Sequence, residues 1–231
     1  MSIKTIDMSD KNLAVVLLSG GLDSCVTMAI AMRTYNVALL HVGYSQRTQT
    51  REYNTFRSIA RYYKVPETRT LAIELDFLRK IGGSSLTDHT MPVDKDNTNK
   101  EIPTSYVPFR NTHLLSIAVS WAEAINAGSV YIGAVQQDSP DYPDCRAEYY
   151  EAYNRLVDVG TKPSTDIKVV TPLLNMSKSE IVKKGIELAA PLQLTWSCYE
   201  RSDKACGCCQ SCLLRMKAFE EAGVKDKIHY V

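Results

Sequence analysis

The 231-residue sequence has no excess of charge of either sign and no apolar run long enough to span a bilayer. Its net charge is +1, and its longest basic runs are pairs such as Lys183-Lys184. Because a nucleic-acid binder usually carries a basic patch or strong positive charge, a polynucleotide partner is disfavoured. The first residues also lack the apolar core of a signal peptide. We therefore expect a cytoplasmic protein with no membrane partner.

Two common nucleotide-binding loops are also missing. No Gly-Lys-Ser/Thr sequence occurs, which excludes the Walker loop, and the three spaced glycines of the dinucleotide fingerprint are absent. There is no internal repeat and no low-complexity segment. An apolar content of 45% and a charged content of 23% are ordinary for a globular protein of one or two small domains.

The most informative segment joins a predicted strand to a predicted helix. The unbroken apolar run Leu13–Leu18 is typical of a strand buried on both faces of a parallel sheet. It ends at the loop Ser19–Ser24, of sequence Ser-Gly-Gly-Leu-Asp-Ser, and a helix-compatible run from Val26 to Arg33 follows. Glycines permit a tight turn and close approach of a ligand, and a helix start offers free N–H groups. The segment predicts an anion cradle suited to phosphate.

Strand-like and helix-like segments alternate along the rest of the chain. This alternation predicts an α/β fold with a doubly wound, mostly parallel sheet and ligands beyond the carboxyl ends of its strands. Ser177 and Glu180 form a predicted capping box, and Arg79–Val107 has no clear periodicity. The predicted strands are Val37–Val42, Thr70–Leu75, Ser129–Ala134 and Val169–Pro172. The predicted helices are Arg51–Tyr63, Arg110–Ala127, Glu148–Val157 and Ser177–Ala189.

Five of the seven cysteines lie close together near the C-terminus. Four of them fit a closed tetrahedral metal site, with zinc favoured over an iron–sulfur cluster. The proposed ligands are Cys198, Cys206, Cys209 and Cys212. Cys208 is left out because adjacent cysteines rarely ligate one ion together. We expect an α/β domain that carries the anion cradle over 1–190 and a zinc-binding helical and loop region over 191–231 packed on it.

The two remaining cysteines lie outside the cluster. Cys25 directly follows the Ser19–Ser24 loop, where a small buried residue is the favoured interpretation. Cys145 precedes Arg146, which could lower the pKa of a catalytic thiol, but a structural role is again favoured.

The Ser19–Ser24 loop resembles the pyrophosphate loop of ATP pyrophosphatases. In that superfamily a substrate oxygen attacks the α-phosphorus of ATP, and AMP and pyrophosphate leave. The resemblance implies that Asp23 helps to position Mg²⁺. It implies that the ATP phosphates are bound by Ser19, Gly20, Gly21, Leu22, Asp23 and Ser24.

A longer series of motifs, in the same order along nearly the whole chain, resembles the QueC family of 7-cyano-7-deazaguanine synthases. The resemblance assigns the four zinc ligands to the cysteines already chosen by spacing, with one structural zinc ion per chain. The motifs are Ser19–Ser24, Tyr44–Arg47, Ser85–Asp88, Tyr106–Asn111, Tyr142–Arg146, Thr171-Pro172, Lys178–Glu180, Thr195–Cys198 and Cys206–Arg215.

The resemblance implies an enzyme that uses ATP and Mg²⁺ to adenylate the carboxylate of 7-carboxy-7-deazaguanine. Ammonia then displaces AMP to give an amide, and a second adenylation on the amide oxygen leads to the nitrile. Such a site needs cations to offset phosphate charge and a carboxylate to recognise the guanine-like edge. We expect catalytic roles for Asp23, Arg110 and Lys178, and substrate contacts from Arg47, Asp138, Asp144 and Arg146. The family also suggests a homodimer.

The chain departs from the typical family pattern at several positions. Ser45 and Phe109 occupy positions that are glycine in typical members, and Asp141 replaces a third glycine. These changes keep a second function open, in which the activated acyl group is transferred to an amine of a partner protein, as in QueC-like antiphage defence enzymes. A tRNA-thiolating pyrophosphatase and a zinc-ribbon module without catalysis are further alternatives, disfavoured by the near-neutral charge and the intact loop, respectively.

Overall fold

A computed structural model describes residues 12–93, 102–136 and 142–231 of the chain. These ranges contain five strands, which are β1 (Leu13–Leu17), β2 (Asn36–Gly43), β3 (Thr70–Glu74), β4 (Ser129–Tyr131) and β5 (Lys168–Val170). All four strand pairings are parallel, and the order across the sheet is β3-β2-β1-β4-β5. The predicted doubly wound α/β fold is confirmed.

Helices cover both faces of this sheet. The described α-helices are α1 (Leu22–Ala31), α2 (Gln49–Tyr62), α3 (Phe77–Ile81), α4 (Arg110–Ala124), α5 (Ala147–Gly160), α6 (Lys178–Glu187) and α7 (Gln210–Glu221). None of the helices in the described ranges is long and apolar enough to cross a bilayer.

Strand β1 shows why the apolar run is unbroken. Ala14 and Val16 pack into one hydrophobic cluster together with residues of α1, α2, α6 and α7. Leu13 and Val15 point to the opposite face and pack with residues of α4 and α5. Because successive side chains of a strand alternate between faces, a strand covered on both sides must be apolar at every position.

The topology fixes where a ligand can bind. Strand β1 lies between β2 and β4, and the chain extends outward from it in both directions. The connections after β1 and β4 therefore leave the sheet on opposite faces, which opens a crevice beyond their carboxyl ends. The Ser19–Ser24 loop begins at this crevice.

The element boundaries differ from the predictions at several places. Helix α1 begins at Leu22 rather than Val26, so the second half of the predicted loop is the first helical turn. Strand β4 ends at Tyr131, three residues early, because its ladder with β5 spans only three residue pairs. Helix α3 was not predicted, and α7 lies in a region expected to contain helix and loop but was given no bounds, since neither helix carries a clear apolar stripe. The capping box of Ser177 and Glu180 is confirmed.

Candidate active site

The crevice between β1 and β4 opens into a cleft with a cavity volume of about 300 Å³. Its floor is the end of β1 and the Ser19–Ser24 loop, and its walls come from all parts of the described chain. The lining includes Tyr44, Arg47, Glu52, Leu86, Ser105, Arg110, Gly133, Tyr142, Cys145, Lys178, Trp196, Cys198, Tyr199 and Gln210. Residues distant in sequence therefore converge on one site.

The Ser19–Ser24 loop is held in shape by its own hydroxyl groups. Ser19 Oγ accepts a hydrogen bond from Gly21 N at 3.1 Å and lies 3.1 Å from Ser24 Oγ. Ser24 Oγ in turn donates to the carbonyl oxygen of Gly21 at 3.0 Å. The loop leads directly into the N-terminus of α1, where backbone N–H groups and the helix dipole favour an anion.

Two glycines allow the close packing around this loop. Gly20 has a φ of +96°, and a Cβ atom there would lie 2.8 Å from the carbonyl oxygen of Glu52. Gly133, just beyond β4, lies so close to the start of α1 that a Cβ would come within 3.0 Å of Ser24 N. Gly20 therefore needs glycine for both steric and backbone reasons, and a side chain at Gly133 would require the start of α1 to shift. Gly133 was not singled out from the sequence.

Asp23 and Lys178 form an ion pair at the edge of the cleft. Lys178 Nζ lies 2.8 Å from Asp23 Oδ2, and both side chains are about one-quarter exposed or less, at 18% and 27%. Lys178 is the first residue of α6, whose start is fixed by the capping box at Ser177. The second carboxylate oxygen, Asp23 Oδ1, is buried without a hydrogen-bond partner among the described residues. This oxygen could bind a cation that accompanies a phosphate ligand.

Arg110, the first residue of α4, brings a second cation to the cleft. Its Nη1 donates to the Tyr44 hydroxyl group at 3.2 Å, and its guanidinium carbon lies 5.7 Å from the centre of the Tyr44 ring. Arg110 Nε is buried with no hydrogen-bond partner among the described residues. Because an unpaired buried donor is costly, this guanidinium is suited to an anionic ligand group.

Arg47 also lines the cleft, but its side chain makes several bonds to a loop. Arg47 Nε donates to the carbonyl oxygen of Ser85 at 2.8 Å, and Nη2 donates to those of Asp88 and Met91 at 3.2 Å and 2.5 Å. The Arg47 backbone N–H bonds the carbonyl oxygen of Leu86 at 3.1 Å. Arg47 therefore organises the wall of the cleft as well as facing it.

Two other predicted substrate residues, Asp144 and Arg146, are not among the residues that line the cleft. Asp144 is buried at 3% exposure, and its Oδ2 accepts the N–H of Asn111 in the first turn of α4 at 3.0 Å. Arg146 precedes α5 and lies 3.8 Å from Glu148 in an exposed ion pair. Neither residue is among those that line the cleft. Asp138 and Asp141 lie outside the described residues.

Burial keeps both isolated thiols protonated. Cys145 lines the cleft. Its pKa is raised to about 11, mainly by burial and to a smaller extent by the charge of Asp144. Burial raises the pKa of Cys25 to about 12. A nucleophilic thiol needs a lowered pKa, so the favoured structural interpretation of both cysteines agrees with their surroundings.

The four predicted ligand cysteines converge on one point. The sulfur atoms of Cys198, Cys206, Cys209 and Cys212 all lie within 4.8 Å of one another. Sulfurs bound to a tetrahedral zinc ion at about 2.3 Å would be about 3.8 Å apart, and the sulfurs of Cys206 and Cys212 are 3.9 Å apart. Cys208 is exposed and lies outside this set of four. The four cysteines can hold one metal ion.

Backbone N–H groups surround these sulfurs. Cys198 Sγ accepts from the N–H groups of Arg201 and Cys206, each at 3.4 Å, and Cys206 Sγ accepts from Cys209 N at 3.2 Å. Such bonds stabilise the thiolate charge that metal binding requires.

The cysteine cluster is anchored by a buried arginine that sequence analysis missed. Arg215 is 1% exposed and bonds Asp226 through two hydrogen bonds, at 2.7 Å and 3.1 Å. It also donates to Thr195 Oγ1 at 2.8 Å and Ser197 Oγ at 3.2 Å. An arginine within the cysteine motif was visible in the sequence, but its partners are distant and could not be read from spacing.

The two described departures from the family pattern have one physical property in common. Ser45 has a φ of 61° and Phe109 a φ of 59°, both in the left-handed region that favours glycine. The backbone conformation typical of glycine is therefore kept although the side chains differ. Phe109 is 58% exposed, so its ring lies outside the core.

Comparisons with known proteins identify the family of the chain. The family model described as "Queuosine biosynthesis protein QueC" matches residues 13–223. A 7-cyano-7-deazaguanine synthase from Chlorobium chlorochromatii is 56% identical over 219 residues, which cover 94% of this chain and 95% of that protein. A 7-cyano-7-deazaguanine synthase from Koribacter versatilis is 53% identical over 230 residues, covering 97% and 96%.

A solved structure shares the fold at low sequence identity. The U34-tRNA thiolase NcsA from Methanococcus maripaludis, determined with its [4Fe-4S] cluster, aligns with a TM-score of 0.50 and 16% identity. The alignment covers 93% of this chain and 66% of that one. Together, the family match over nearly the whole chain and relatives above half identity show that this chain belongs to the QueC family.

Proposed function

We propose that this chain is an ATP-dependent, AMP-forming ligase that converts 7-carboxy-7-deazaguanine and ammonia to 7-cyano-7-deazaguanine. The observation that carries the proposal is the Ser19–Ser24 cradle at the switch point of the sheet, with the Asp23–Lys178 pair beside it. The names of the curated relatives support the choice of substrate. We call Ser19–Ser24 the phosphate loop below.

In the first step, a carboxylate oxygen of the substrate attacks the α-phosphorus of ATP, and the bond to pyrophosphate breaks. The phosphate loop binds the leaving pyrophosphate, and Lys178 offsets the charge that develops on it. Asp23, through its unpartnered Oδ1, would hold Mg²⁺, which supplies further charge neutralisation when bound. In this proposal the bound substrates keep water away from the acyl-adenylate, which water would otherwise hydrolyse.

In the second step, ammonia attacks the acyl carbon, and AMP leaves with one oxygen of the original carboxylate. The amide oxygen then attacks a second ATP, and loss of AMP and protons forms the carbon–nitrogen triple bond. Arg110 faces the acyl group in this proposal, because its unpartnered Nε requires an anionic or carbonyl oxygen. Both activations use the same phosphate loop.

We also propose roles for the remaining residues expected to contact the substrate. Arg47 lines the cleft and positions the Ser85–Met91 wall against the substrate. Asp138 is proposed to accept hydrogen bonds from the guanine-like edge. Asp144 and Arg146 are proposed to act indirectly, Asp144 by fixing the start of α4 and therefore Arg110.

We further propose that the four-cysteine cluster holds one structural zinc ion. Four sulfur ligands favour zinc and leave no open position for chemistry. The ion would stabilise the region 191–231 against the ATP-binding region 1–190. A homodimer, suggested by the family, is also part of the proposal and is tested by light scattering of the purified protein.

Product identification by mass spectrometry tests the proposal. The reaction contains ATP, Mg²⁺, 7-carboxy-7-deazaguanine and isotopically labelled ammonium, and a matched reaction omits the ammonium. The proposal predicts AMP and a free nitrile that carries the label. AMP without nitrile, together with a deazaguanine amide on an added protein, would instead support acyl transfer to a protein amine.

A further inference from the structure

We infer that Trp196 is a positioning residue that couples the cysteine cluster to the phosphate loop. The inference rests on the proposed ATP-binding role of that loop. It assigns the cysteine cluster a part in nucleotide binding, in addition to holding the fold together.

The first contact is direct and involves the backbone. Trp196 N donates a hydrogen bond to the carbonyl oxygen of Gly20 at 2.9 Å. The Trp196 carbonyl oxygen also lies close to Gly21, 3.7 Å from where a Cβ would be. The Trp196 backbone therefore lies against both glycines of the phosphate loop, and the carbonyl oxygen of Glu52 in α2 also lies close to Gly20.

The second contact joins the indole to the cysteine cluster. Trp196 Nε1 donates to the carbonyl oxygen of Arg201 at 3.1 Å. The backbone N–H of Arg201 in turn donates to Cys198 Sγ at 3.4 Å. Cys198 follows Trp196 by two positions and also lines the cleft. A metal bound to Cys198 would fix the position of its sulfur. Through the two hydrogen bonds of Arg201, it would also fix the position of the Trp196 side chain.

The third contact joins the indole of Trp196 to helix α2. The guanidinium carbon of Arg51 lies 4.3 Å from the centre of the Trp196 ring, which is a cation–π contact. Arg51 precedes Glu52 in α2, the residue packed against Gly20. The phosphate loop is thus contacted by both α2 and Trp196, and the Arg51–Trp196 contact joins these two neighbours of the loop.

A single-tryptophan variant makes the coupling measurable. The chain has two tryptophans, and the other, Trp121, packs on the opposite face of the sheet. In Trp121→Phe, the fluorescence of Trp196 should change when ATP is added. Removal of the metal with a chelator should weaken ATP binding at least tenfold while circular dichroism shows the helices intact. A folded, metal-free protein that binds ATP within twofold of the metal-loaded one would overturn the inference.

Arg51 provides a test that keeps the metal in place. Arg51→Met should weaken ATP binding three- to tenfold, with metal content unchanged by elemental analysis, and Arg51→Lys should restore part of the affinity. Arg57→Met is the matched control, since Arg57 lies on the same helix in an exposed ion pair with Glu67. Unchanged ATP affinity in Arg51→Met would contradict the coupling even if the metal-free protein unfolds.

The two proposals fail in different ways. If the metal-loaded protein does not bind ATP at all, the proposed function is wrong, and the coupling has nothing to act on. If the metal-loaded protein binds ATP but either metal removal or Arg51→Met leaves the affinity unchanged, only the coupling is wrong.

Discussion

Lys178 Nζ lies 2.8 Å from Asp23 Oδ2, although 155 residues separate the two in the sequence. The pair joins the first turn of α1 to the first turn of α6 across the mouth of the cleft. Because both side chains are mostly shielded, the interaction holds Asp23 with its second oxygen, Oδ1, still unpaired. The site therefore offers the positive charge of Lys178 to an anion and the unpaired oxygen of Asp23 to the cation that accompanies the anion.

Removal of either charge should abolish adenylation without unfolding the protein. Asp23→Asn and Lys178→Met are each expected to lower the rate of pyrophosphate release at least about 100-fold, as loss of a charge stabiliser in a shielded site does. Lys184→Met is the control, because Lys184 pairs with Glu187 on the exposed side of α6. A wild-type rate in Lys178→Met would contradict its assigned role.

Gly20 should be sensitive to any side chain. Gly20→Ala is expected to weaken ATP binding at least tenfold, since its Cβ would lie 2.8 Å from the Glu52 carbonyl oxygen at a φ of +96°. Gly223 also has a positive φ, +72°, but has open space around it. Gly223→Ala should cost about 1 kcal/mol of unfolding free energy and leave ATP binding unchanged. Calorimetric titration with ATP measures the affinity of both variants. A similar ATP affinity in Gly20→Ala and Gly223→Ala would contradict the importance assigned to crowding at Gly20.

Much of the fold was predictable because each decisive feature is local. The apolar run of β1 and the capping box of α6 are read from consecutive residues, and both are confirmed. The loop after β1 was also predicted from consecutive residues, but its second half is the first turn of α1. The spacing of four cysteines likewise predicted a cluster that the structure brings together. The bounds of α7 were not predicted, because part of its buried face consists of a cysteine and an arginine rather than apolar residues.

The contacts that shape the site were not predictable, because they join distant segments. Nothing near Arg215 in sequence indicates its bonds to Thr195 and Asp226. The bonds of Asp144 to the start of α4 similarly depend on where two elements meet. The sequence motifs therefore named candidate site residues, but they did not indicate what each residue contacts.

The buried Arg215–Asp226 pair should be essential for stability. Removing one partner of a buried pair leaves a charge without compensation, so Arg215→Met should lower the unfolding free energy by about 3–5 kcal/mol. Arg57→Met breaks an exposed pair with Glu67 and should cost less than about 1 kcal/mol. Urea unfolding measures both, and equal losses in the two variants would contradict the importance assigned to burial.

Stability should fall as pH rises above about 9, in part because of Cys25. Burial raises the pKa of this thiol from 9.0 to about 12, so between these values the unfolded chain releases a proton that the folded protein keeps. Ionisation of the unfolded state lowers the unfolding free energy by at most about 1.4 kcal/mol per pH unit per group. Cys25→Ala should therefore lose less stability than wild type between pH 9 and about 11. The free energy of unfolding of both proteins is measured as a function of pH. Parallel curves for Cys25→Ala and wild type would exclude this contribution of Cys25.

Phe109 should carry a measurable conformational strain. Its φ of 59° is unfavourable for any residue with a Cβ, at a cost of roughly 1–2 kcal/mol. Phe109→Gly relieves the strain, whereas Phe109→Ala keeps it and removes only an exposed ring. The glycine variant should be more stable than the alanine variant by about 1 kcal/mol in thermal unfolding. The opposite order would show that the chain does not hold this conformation.

The fate of the carboxylate oxygens tests the central claim most directly. With heavy oxygen in both carboxylate positions of 7-carboxy-7-deazaguanine, adenylation followed by displacement places a labelled oxygen in the phosphate of AMP. The account predicts two labelled AMP molecules for each nitrile formed, one from each activation. Label in inorganic phosphate together with formation of ADP, or unlabelled AMP, would contradict attack on the α-phosphorus at this phosphate loop.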